Sequence, residues 1–469
     1  MPRLVAPGGR GVGRCRSGKW RRSLNAVCWL YAASLFLACA SELAPPRNVL
    51  LVSLDTTRLD HLSTYGYARP TAPNLDRLAE HGVVFRNALA QWTATNPSHT
   101  SMFTGLYPHT HGVGTNTARL PEHLSTLAEL LGDAGLSTGA FVSGYTLRAG
   151  KSGIDRGFDV YDGQIEGTRR DGRETGERAI EWLAGLSPDE PWFLFLHLYD
   201  AHGPYRGDGR YLDLFRSDDR GPRLEYIPEY QRRRDRAGRP LKHLNDYLDR
   251  YDAEIRYQDE VLGDVLATLD LSRTLVVVVA DHGETMTERS KGKNLSHATG
   301  VHDEQIRIPF VVRSPGLLPA VYREVVETVD ILPTVLDLLD LPAPASSAFE
   351  GESLAPLMRG QRRERHDSLG FSSVWARQDW QDRERSIQTV RSERWKLIAY
   401  PALDGDRVRL FDLIADPGER IDVGIDYPEI RQRLLAEIDS WQRTDVAPAE
   451  EVELTAEDVE NLKALGYLD

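Results

Sequence analysis

The chain has 469 residues, of which 41% are hydrophobic and 27% are charged. That balance supports a buried core, leaves room for two or three domains, and excludes a disordered or fibrous protein. The formal net charge is −13, and losing the seven basic residues that precede Leu24 would take it to −20. Such an acidic chain is a poor match for a phosphate backbone, so we expect no nucleic-acid partner.

Residues 1–40 have the pattern of an export leader. Basic residues without an acid occupy the first 23 positions, and an apolar run continues to Ala40. This order is typical of a signal peptide or lipoprotein leader, and its end fits either signal-peptidase cleavage or a lipid anchor at Cys39. A spanning helix is disfavoured because it needs about 20 apolar residues. We therefore predict export to the periplasm or cell envelope, with membrane contact only through that anchor.

The cysteines also belong to this leader. All three of them, Cys15, Cys28 and Cys39, precede residue 41. The mature chain is therefore expected to have no disulfide, no thiolate metal ligand and no catalytic cysteine.

Three short apolar runs predict buried strands of a largely parallel sheet, at 49–54, 192–196 and 275–280. Polar residues follow each run directly: Asp55; then His197, Asp200 and His202; then Asp281 and His282. Ligands of open α/β sheets bind beyond the carboxyl ends of the strands, so these side chains should meet at one edge. Helical patterns at 73–81, 121–131 and 175–186 complete the prediction of an α/β fold with helices flanking the sheet.

The chain divides into four predicted parts. A catalytic domain at 47–360 follows the leader and carries an inserted surface segment at 205–248, rich in Arg, Asp, Gly and Pro. That segment is either a solvated charged excursion or an arginine-lined lip for an anionic substrate. Strand-like runs at 387–390, 395–400 and 409–413, then a helix at 428–441, predict a smaller α+β subdomain at 361–446. An acidic tail at 447–469 ends the chain.

Thr95 is the candidate nucleophile. A helix is predicted to begin near Pro97, because proline suits a first helical turn. A hydroxyl just ahead of that turn lies where free amides and the helix dipole stabilise negative charge, although an ordinary helix cap has the same pattern. Asp55, Asp281 and His282 are suited to a divalent cation, which would lower the pKa of a coordinated hydroxyl and make it a usable nucleophile.

Taken together, these motifs resemble those of sulfatases in the alkaline phosphatase superfamily. The similarity covers 48–55, which ends at Asp55; 95–99, which reads Thr-Asn-Pro-Ser-His and precedes Thr104-Gly105; 196–205; 280–284, which reads Ala-Asp-His-Gly-Glu; His297 with 303–309; and 329–334, 410–413 and 416–419. The resemblance implies the sulfatase fold. It also implies metal ligation by Asp55, Thr95, Asp281 and His282, substrate binding by His197, His202 and His297, and catalytic roles for Thr95, His99, His202 and His297.

The departures from that pattern bear on the chemistry. Sulfatases convert the signature cysteine or serine to formylglycine, whereas Thr95 carries a methyl group that prevents this conversion. Thr56 replaces the second strand-end aspartate and His99 replaces the signature arginine, while 143–148 occupies the region of a missing lysine-containing motif. We expect one divalent cation, calcium by resemblance, with manganese or zinc compatible with His282.

The expected activity is metal-dependent hydrolysis of a phosphate or sulfate ester with Thr95 as nucleophile. Phosphodiesters are favoured because threonine nucleophiles occur in related phosphodiesterases and phosphoethanolamine transferases. Three alternatives stay open: a true sulfuric ester hydrolase without formylglycine, an envelope phosphoryl transferase, and a non-catalytic glycan-binding protein. The expected partner is a small anionic ester or a glycan.

Overall fold

A computed structural model describes residues 45–207, 209–289, 294–343, 349–361, 368–375, 386–401, 407–441 and 449–468. The predicted leader and the anchor at Cys39 lie outside the described residues. Among the residues that are described, no helix combines the length and apolar character that a membrane crossing requires.

Twelve strands are present in the described chain, and they form two sheets. In chain order they are β1 (Asn48–Leu54), β2 (Val83–Leu89), β3 (Ser137–Val142), β4 (Val160–Asp162), β5 (Trp192–Leu198), β6 (Thr274–Val279), β7 (Arg307–Arg313), β8 (Ala320–Glu327), β9 (Gly370–Trp375), β10 (Ser386–Arg391), β11 (Trp395–Tyr400) and β12 (Arg407–Asp412). The larger sheet has eight strands in the order β4-β3-β5-β1-β6-β7-β2-β8. The smaller sheet has four strands in the order β12-β11-β10-β9.

The three predicted strands lie side by side in the larger sheet. β1 pairs with β5 on one side and with β6 on the other, both in parallel. Only β7 runs antiparallel to its neighbours in the described part of this sheet. The prediction of a mostly parallel sheet is therefore confirmed, and the carboxyl ends of β1, β5 and β6 meet at one edge.

The helices of the described chain are α1 (Pro73–Ala79), α2 (Thr95–Thr104), α3 (Pro108–His111), α4 (Leu127–Asp133), α5 (Gly172–Gly185), α6 (Gly209–Phe215), α7 (Leu244–Leu266), α8 (Asp303–Ile306), α9 (Ile331–Leu338), α10 (Ala355–Met358), α11 (Pro428–Trp441) and α12 (Ala456–Ala464). Several of them cover the two faces of the larger sheet. Successive side chains of a strand point to opposite faces. Val49 and Leu51 of β1 therefore pack with α2, α4 and α9, whereas Leu50 and Val52 pack with α1, α5 and α7.

The smaller sheet forms the predicted α+β subdomain. Its strands β9 to β12 are antiparallel, and the predicted helix, α11, packs on them through Leu434 and Ile438. The sequence pattern did not predict strand β9. A second apolar cluster, which includes Val325 of β8 and Val374 of β9, joins this sheet to the larger one.

Three predicted parts of the chain differ from the structure. The helix expected at 121–131 begins only at Leu127, because Thr126 and Glu129 form a capping box in which each side chain binds the other residue's amide, at 3.1 and 2.8 Å. The terminal tail contains a helix, α12, that starts at a second capping box on Thr455 and Asp458. Within the predicted surface segment, Tyr205 and Gln231 are fully buried.

Candidate active site

The strand ends bring a candidate metal site together. Asp55 follows β1 and Asp281 and His282 follow β6, and all three side chains are fully buried. One ligand atom from each lies within 4.8 Å of the others. Two carboxylates and an imidazole at this spacing can share one divalent cation.

The hydrogen bonds at Asp281 and His282 leave two atoms for such a cation. Oδ1 of Asp281 accepts from the amides of Thr56 and His282, at 3.0 and 2.8 Å. The Nδ1–H of His282 donates to the Gly283 carbonyl at 2.9 Å, so its Nε2 carries a lone pair. Within the described residues, that Nε2 and Oδ2 of Asp281 lack a hydrogen-bond partner, and they lie 3.4 Å apart. Buried acceptors without partners are rare, so these residues fit a bound cation.

Asp55 is held by two neighbours. Its Oδ1 accepts from the Thr56 hydroxyl at 2.5 Å, and its Oδ2 accepts from Nε2 of His197 at 3.0 Å. Burial raises the pKa of Asp55 and of Asp281, and for Asp281 the neighbouring carboxylate adds to the rise. Burial lowers the pKa of His197 to about 4. His197 therefore contacts a carboxylate of the candidate metal site.

The backbone at Thr56 is strained. Its φ is +56°, in the left-handed region that a β-branched residue rarely adopts. The Tyr251 hydroxyl donates to its carbonyl at 2.7 Å and helps to hold that conformation. Strained backbone of this kind concentrates at functional sites.

Thr95 lies at the first position of α2, two residues before the predicted start at Pro97. Its side chain is fully buried, and Ser98 on the same helix donates from its hydroxyl to the Asp281 carbonyl at 2.6 Å. That bond ties the start of α2 to the candidate metal site. Thr95 thus stands at a helix N-terminus, as expected. The free amides expected beside it are not found at 96–98, because the Asn96 amide donates to Oδ1 of Asn116 at 2.9 Å, Pro97 has no N–H, and the Ser98 amide donates to the Ala94 carbonyl at 3.2 Å.

His99 lies beneath Thr95 in α2. Its Nδ1–H donates to the Thr95 carbonyl at 2.7 Å, and its Nε2 accepts from the Ser53 hydroxyl at 2.8 Å. Burial lowers the pKa of His99 to about 3. Both ring nitrogens are therefore used in holding the backbone of α2 against β1.

His202 presents a lone pair to the site. Its Nδ1–H donates to the Gly203 carbonyl at 2.5 Å, and burial lowers its pKa well below the ordinary range. The neutral ring then accepts at Nε2 from the Tyr467 hydroxyl at 2.7 Å.

His297 lies between the same phenol and a carboxylate. Its Nδ1 lies 3.2 Å from Oε1 of Glu284, and its Nε2 lies 3.2 Å from the Tyr467 hydroxyl. Burial alone would lower the pKa of His297, but the Glu284 carboxylate raises it above 6.5. Leu295 and Ala298 on either side have φ of +53° and +55°, so the loop that carries this histidine is strained.

Comparison with known proteins decides the family. The model of the family described as Sulfatase matches residues 47–341, and that described as N-sulphoglucosamine sulphohydrolase, C-terminal, matches residues 298–444. The chain belongs to the sulfatase family.

Relatives within and around this family differ in chemistry. The chain is 26% identical to the Delta 4,5-hexuronate-2-O-sulfatase of Bacteroides thetaiotaomicron, over 86% of this chain and 90% of that protein. It is also 26% identical to the multifunctional alkaline phosphatase superfamily protein PehA of Trinickia caryophylli, over 80% and 90%. The crystal structure of the phosphonate monoester hydrolase of Agrobacterium radiobacter superimposes with a TM-score of 0.68 at 22% identity, covering 86% of this chain and 96% of that one. This sulfatase-family chain is accordingly an ester hydrolase.

Two residues of the sulfatase-family site were missed from the sequence. Glu284 stands in the same motif as Asp281, and its spacing gave no sign that it would reach His297. Tyr467 comes from the terminal tail, and its hydroxyl lies 3.5 Å from Oγ1 of Thr95. Only the apolar pattern of α12 could have indicated that this tail packs on the domain.

Proposed function

We propose that the protein is a metal-dependent hydrolase that uses Thr95 as its nucleophile and favours phosphodiesters. One observation carries the proposal: the Thr95 hydroxyl lies at a helix N-terminus, with His202 and His297 grouped around one oxygen 3.5 Å away. A nucleophile, a base and an acid in one buried cluster are the parts that a displacement at phosphorus requires.

The geometry supports a role for each group. Oγ of Thr95 would attack phosphorus while the bond from phosphorus to the leaving oxygen breaks. Nε2 of His202, which presents a lone pair, would take the threonine proton, and His297 would give its Nε2 proton to the leaving oxygen. Water would then attack phosphorus and give a proton to His297, while the bond from phosphorus to Oγ of Thr95 breaks and the proton on His202 returns to Thr95.

The cation would be held by Asp55, Asp281 and His282, with the Thr95 hydroxyl as a further ligand. Bound there, a divalent cation supplies Lewis-acid stabilisation of the ester's negative charge. One cation matches the single group of suitable atoms found among the described residues. Calcium is the family expectation, and the imidazole nitrogen of His282 also suits manganese or zinc.

The preference for phosphorus follows from the methyl group of Thr95. Formylglycine releases sulfate by elimination across its second hydroxyl, a route that a threonine ester lacks. The ester must therefore be released by attack of water, as in phosphodiesterases that use threonine. A second candidate, hydrolysis of sugar sulfates with an unmodified threonine, is favoured by the hexuronate-2-O-sulfatase relative.

The nucleophile is tested by removing its hydroxyl while keeping its shape. Thr95→Val should lower turnover of an aryl phosphate diester by roughly 10³-fold or more, and Thr95→Ser should stay within about tenfold of the wild type. Thr93→Val is a matched control, because Thr93 is also buried and its hydroxyl lacks a hydrogen-bond partner within the described chain. Full activity in Thr95→Val would refute the assignment.

Substrate and metal are tested on the wild type. Protein loaded separately with calcium, manganese or zinc should hydrolyse the aryl phosphate diester faster than an aryl sulfate. Faster hydrolysis of the sulfate would favour the second candidate. A lack of hydrolysis of both esters would favour a non-catalytic glycan-binding protein.

We also propose that the protein acts in the periplasm or cell envelope. The leader at 1–40 supports this location. Fractionation of cells that express the full chain should place it outside the cytoplasm. If Cys39 carries a lipid, Cys39→Ala should move the protein from the membrane fraction to the soluble one.

A further inference from the structure

The reaction centre is covered in this structure. Thr95, His202, Asp281 and His282 are 0% exposed, and His297 is 8% exposed. Tyr467 lies over them, half-buried, with its hydroxyl pointing inward to the two histidines. An ester therefore has to displace something before it can reach Thr95.

We infer that Tyr467 occupies the position of the transferred group and must leave it before an anionic ester binds. Reacting atoms in a productive complex lie about 3–3.5 Å apart. The phenol oxygen is 3.5 Å from Oγ1 of Thr95, so it stands where the phosphorus or sulfur centre and its oxygens would stand. The inference rests on the proposed function for the identity of the site.

The hydrogen bonds of Tyr467 also use the groups that the reaction needs. Nε2 of His202 accepts from the phenol at 2.7 Å, and Nε2 of His297 lies 3.2 Å from its oxygen. While these bonds persist, neither histidine can contact an ester. The tyrosine thus competes with the substrate both for space and for hydrogen bonds.

The segment that carries Tyr467 is anchored to the domain. Asp458 of α12 is buried, accepts from the Tyr145 hydroxyl at 2.8 Å and from Lys151 at 3.2 Å, and pairs with Arg148. Upstream, backbone hydrogen bonds join Val452 to the Thr117 carbonyl at 2.8 Å and Arg119 to the Glu450 carbonyl at 2.9 Å. Displacement of this whole segment would break all of these contacts.

A glycine lies between the anchored helix and the tyrosine. Gly466 follows α12 with φ of +82°, a conformation that favours glycine, and a Cβ there would lie 2.6 Å from the Tyr230 ring. Leu465 just before it is buried. Rotation at Gly466 would move Tyr467 out of the site while the Asp458 contacts of α12 stay in place, and it would break the hydrogen bond from the Tyr467 amide to the Leu462 carbonyl at 2.9 Å.

The test is anion binding, which does not depend on turnover. Tyr467→Phe keeps the ring but loses the hydrogen bonds of the hydroxyl, those to His202 and His297 included, and Tyr467→Ala also empties the space. Calorimetric titration of the metal-loaded full chain with inorganic phosphate should show about tenfold tighter binding in both variants, because the closed state no longer competes. Tyr427→Phe, on an exposed tyrosine, should bind like the wild type.

Unchanged or weaker phosphate binding in both variants, including no measurable binding in any form, would overturn the inference. Weaker binding would mean that the phenol contributes to the anion site. Thermal unfolding of each variant checks that α12 remains docked. Tighter phosphate binding without hydrolysis of any ester would refute the proposed function and leave the inference standing.

Discussion

Asp281→Asn should stabilise the protein when its metal has been removed. In the wild type, Oδ2 of Asp281 and Nε2 of His282 are buried acceptors that face each other at 3.4 Å. Asparagine can keep its Oδ1 on the amides of Thr56 and His282, and its new NH₂ group can donate to Nε2 of His282. The substitution thus gives Nε2 of His282 a hydrogen-bond donor and replaces the unpaired Oδ2 of Asp281.

The expected gain follows from the cost of such atoms. A buried acceptor without a partner costs about 1–3 kcal/mol. When EDTA has removed the metal from both proteins, the free energy of unfolding of Asp281→Asn should therefore exceed that of the wild type by about 2 kcal/mol. Burial also raises the pKa of Asp281 above 3.8 in the folded state. A raised folded pKa makes the ionised group destabilising, so the variant's advantage should be present at neutral pH and should shrink as the pH falls through that folded pKa.

With the metal bound, the wild type should be more stable than Asp281→Asn. A cation present at 100 times its Kd stabilises the wild type by about 2.7 kcal/mol, whereas the variant has lost a ligand and should gain little. Chemical unfolding with EDTA and with calcium measures both differences. Asp189→Asn, on a side chain that is 90% exposed, serves as the control. This prediction is refuted if Asp281→Asn is less stable than the wild type in EDTA. It is also refuted if calcium stabilises the variant as much as it stabilises the wild type.

Two further substitutions test the proposed acid, His297, and the buried ion pair between Lys396 and Glu419. Glu284→Gln removes the carboxylate that raises the pKa of His297. The loss of activity at high pH should therefore move to lower pH, and turnover should fall about 10–100-fold. A pH profile of kcat identical to that of the wild type would contradict this prediction. Lys396→Met leaves Glu419, its fully buried partner at 2.6 Å, without that cation and should cost about 3–5 kcal/mol in chemical unfolding. Arg394→Met, at an ion pair whose arginine side chain is 50% exposed, should cost under about 1 kcal/mol. Equal losses in the two variants would show that burial does not set the cost.

The strand-end part of the site could be predicted because parallel topology converts sequence into position. Asp55, Asp281 and His282 each follow an apolar run directly, and adjacent parallel strands bring their carboxyl ends to one edge. The same logic placed His197 and His202 near them. It could not assign their hydrogen bonds, which depend on tautomers set by carbonyl and carboxylate neighbours such as Gly203.

The remaining parts depend on contacts between distant segments, which carry no short-range pattern. The pairing of Asp458 with Arg148 spans 310 residues, and that of Tyr467 with Thr95 spans 372. Local chemistry also overrode a local pattern at 121–131, where the capping box at Thr126 competed with the proline signal and delayed the helix. Periodicity predicts which face of an element is buried, but not which remote segment covers it.

The least predictable segments meet around a single histidine. Tyr230, from the inserted segment, donates to the carbonyl of Leu295, two residues before His297, at 2.8 Å, and its ring would contact any side chain at Gly466. Gln231 beside it donates to the same carbonyl at 3.2 Å. The insertion therefore holds the strained loop of His297 and also packs against the glycine before Tyr467, so one inserted segment supports two parts of the site that are far apart in the sequence.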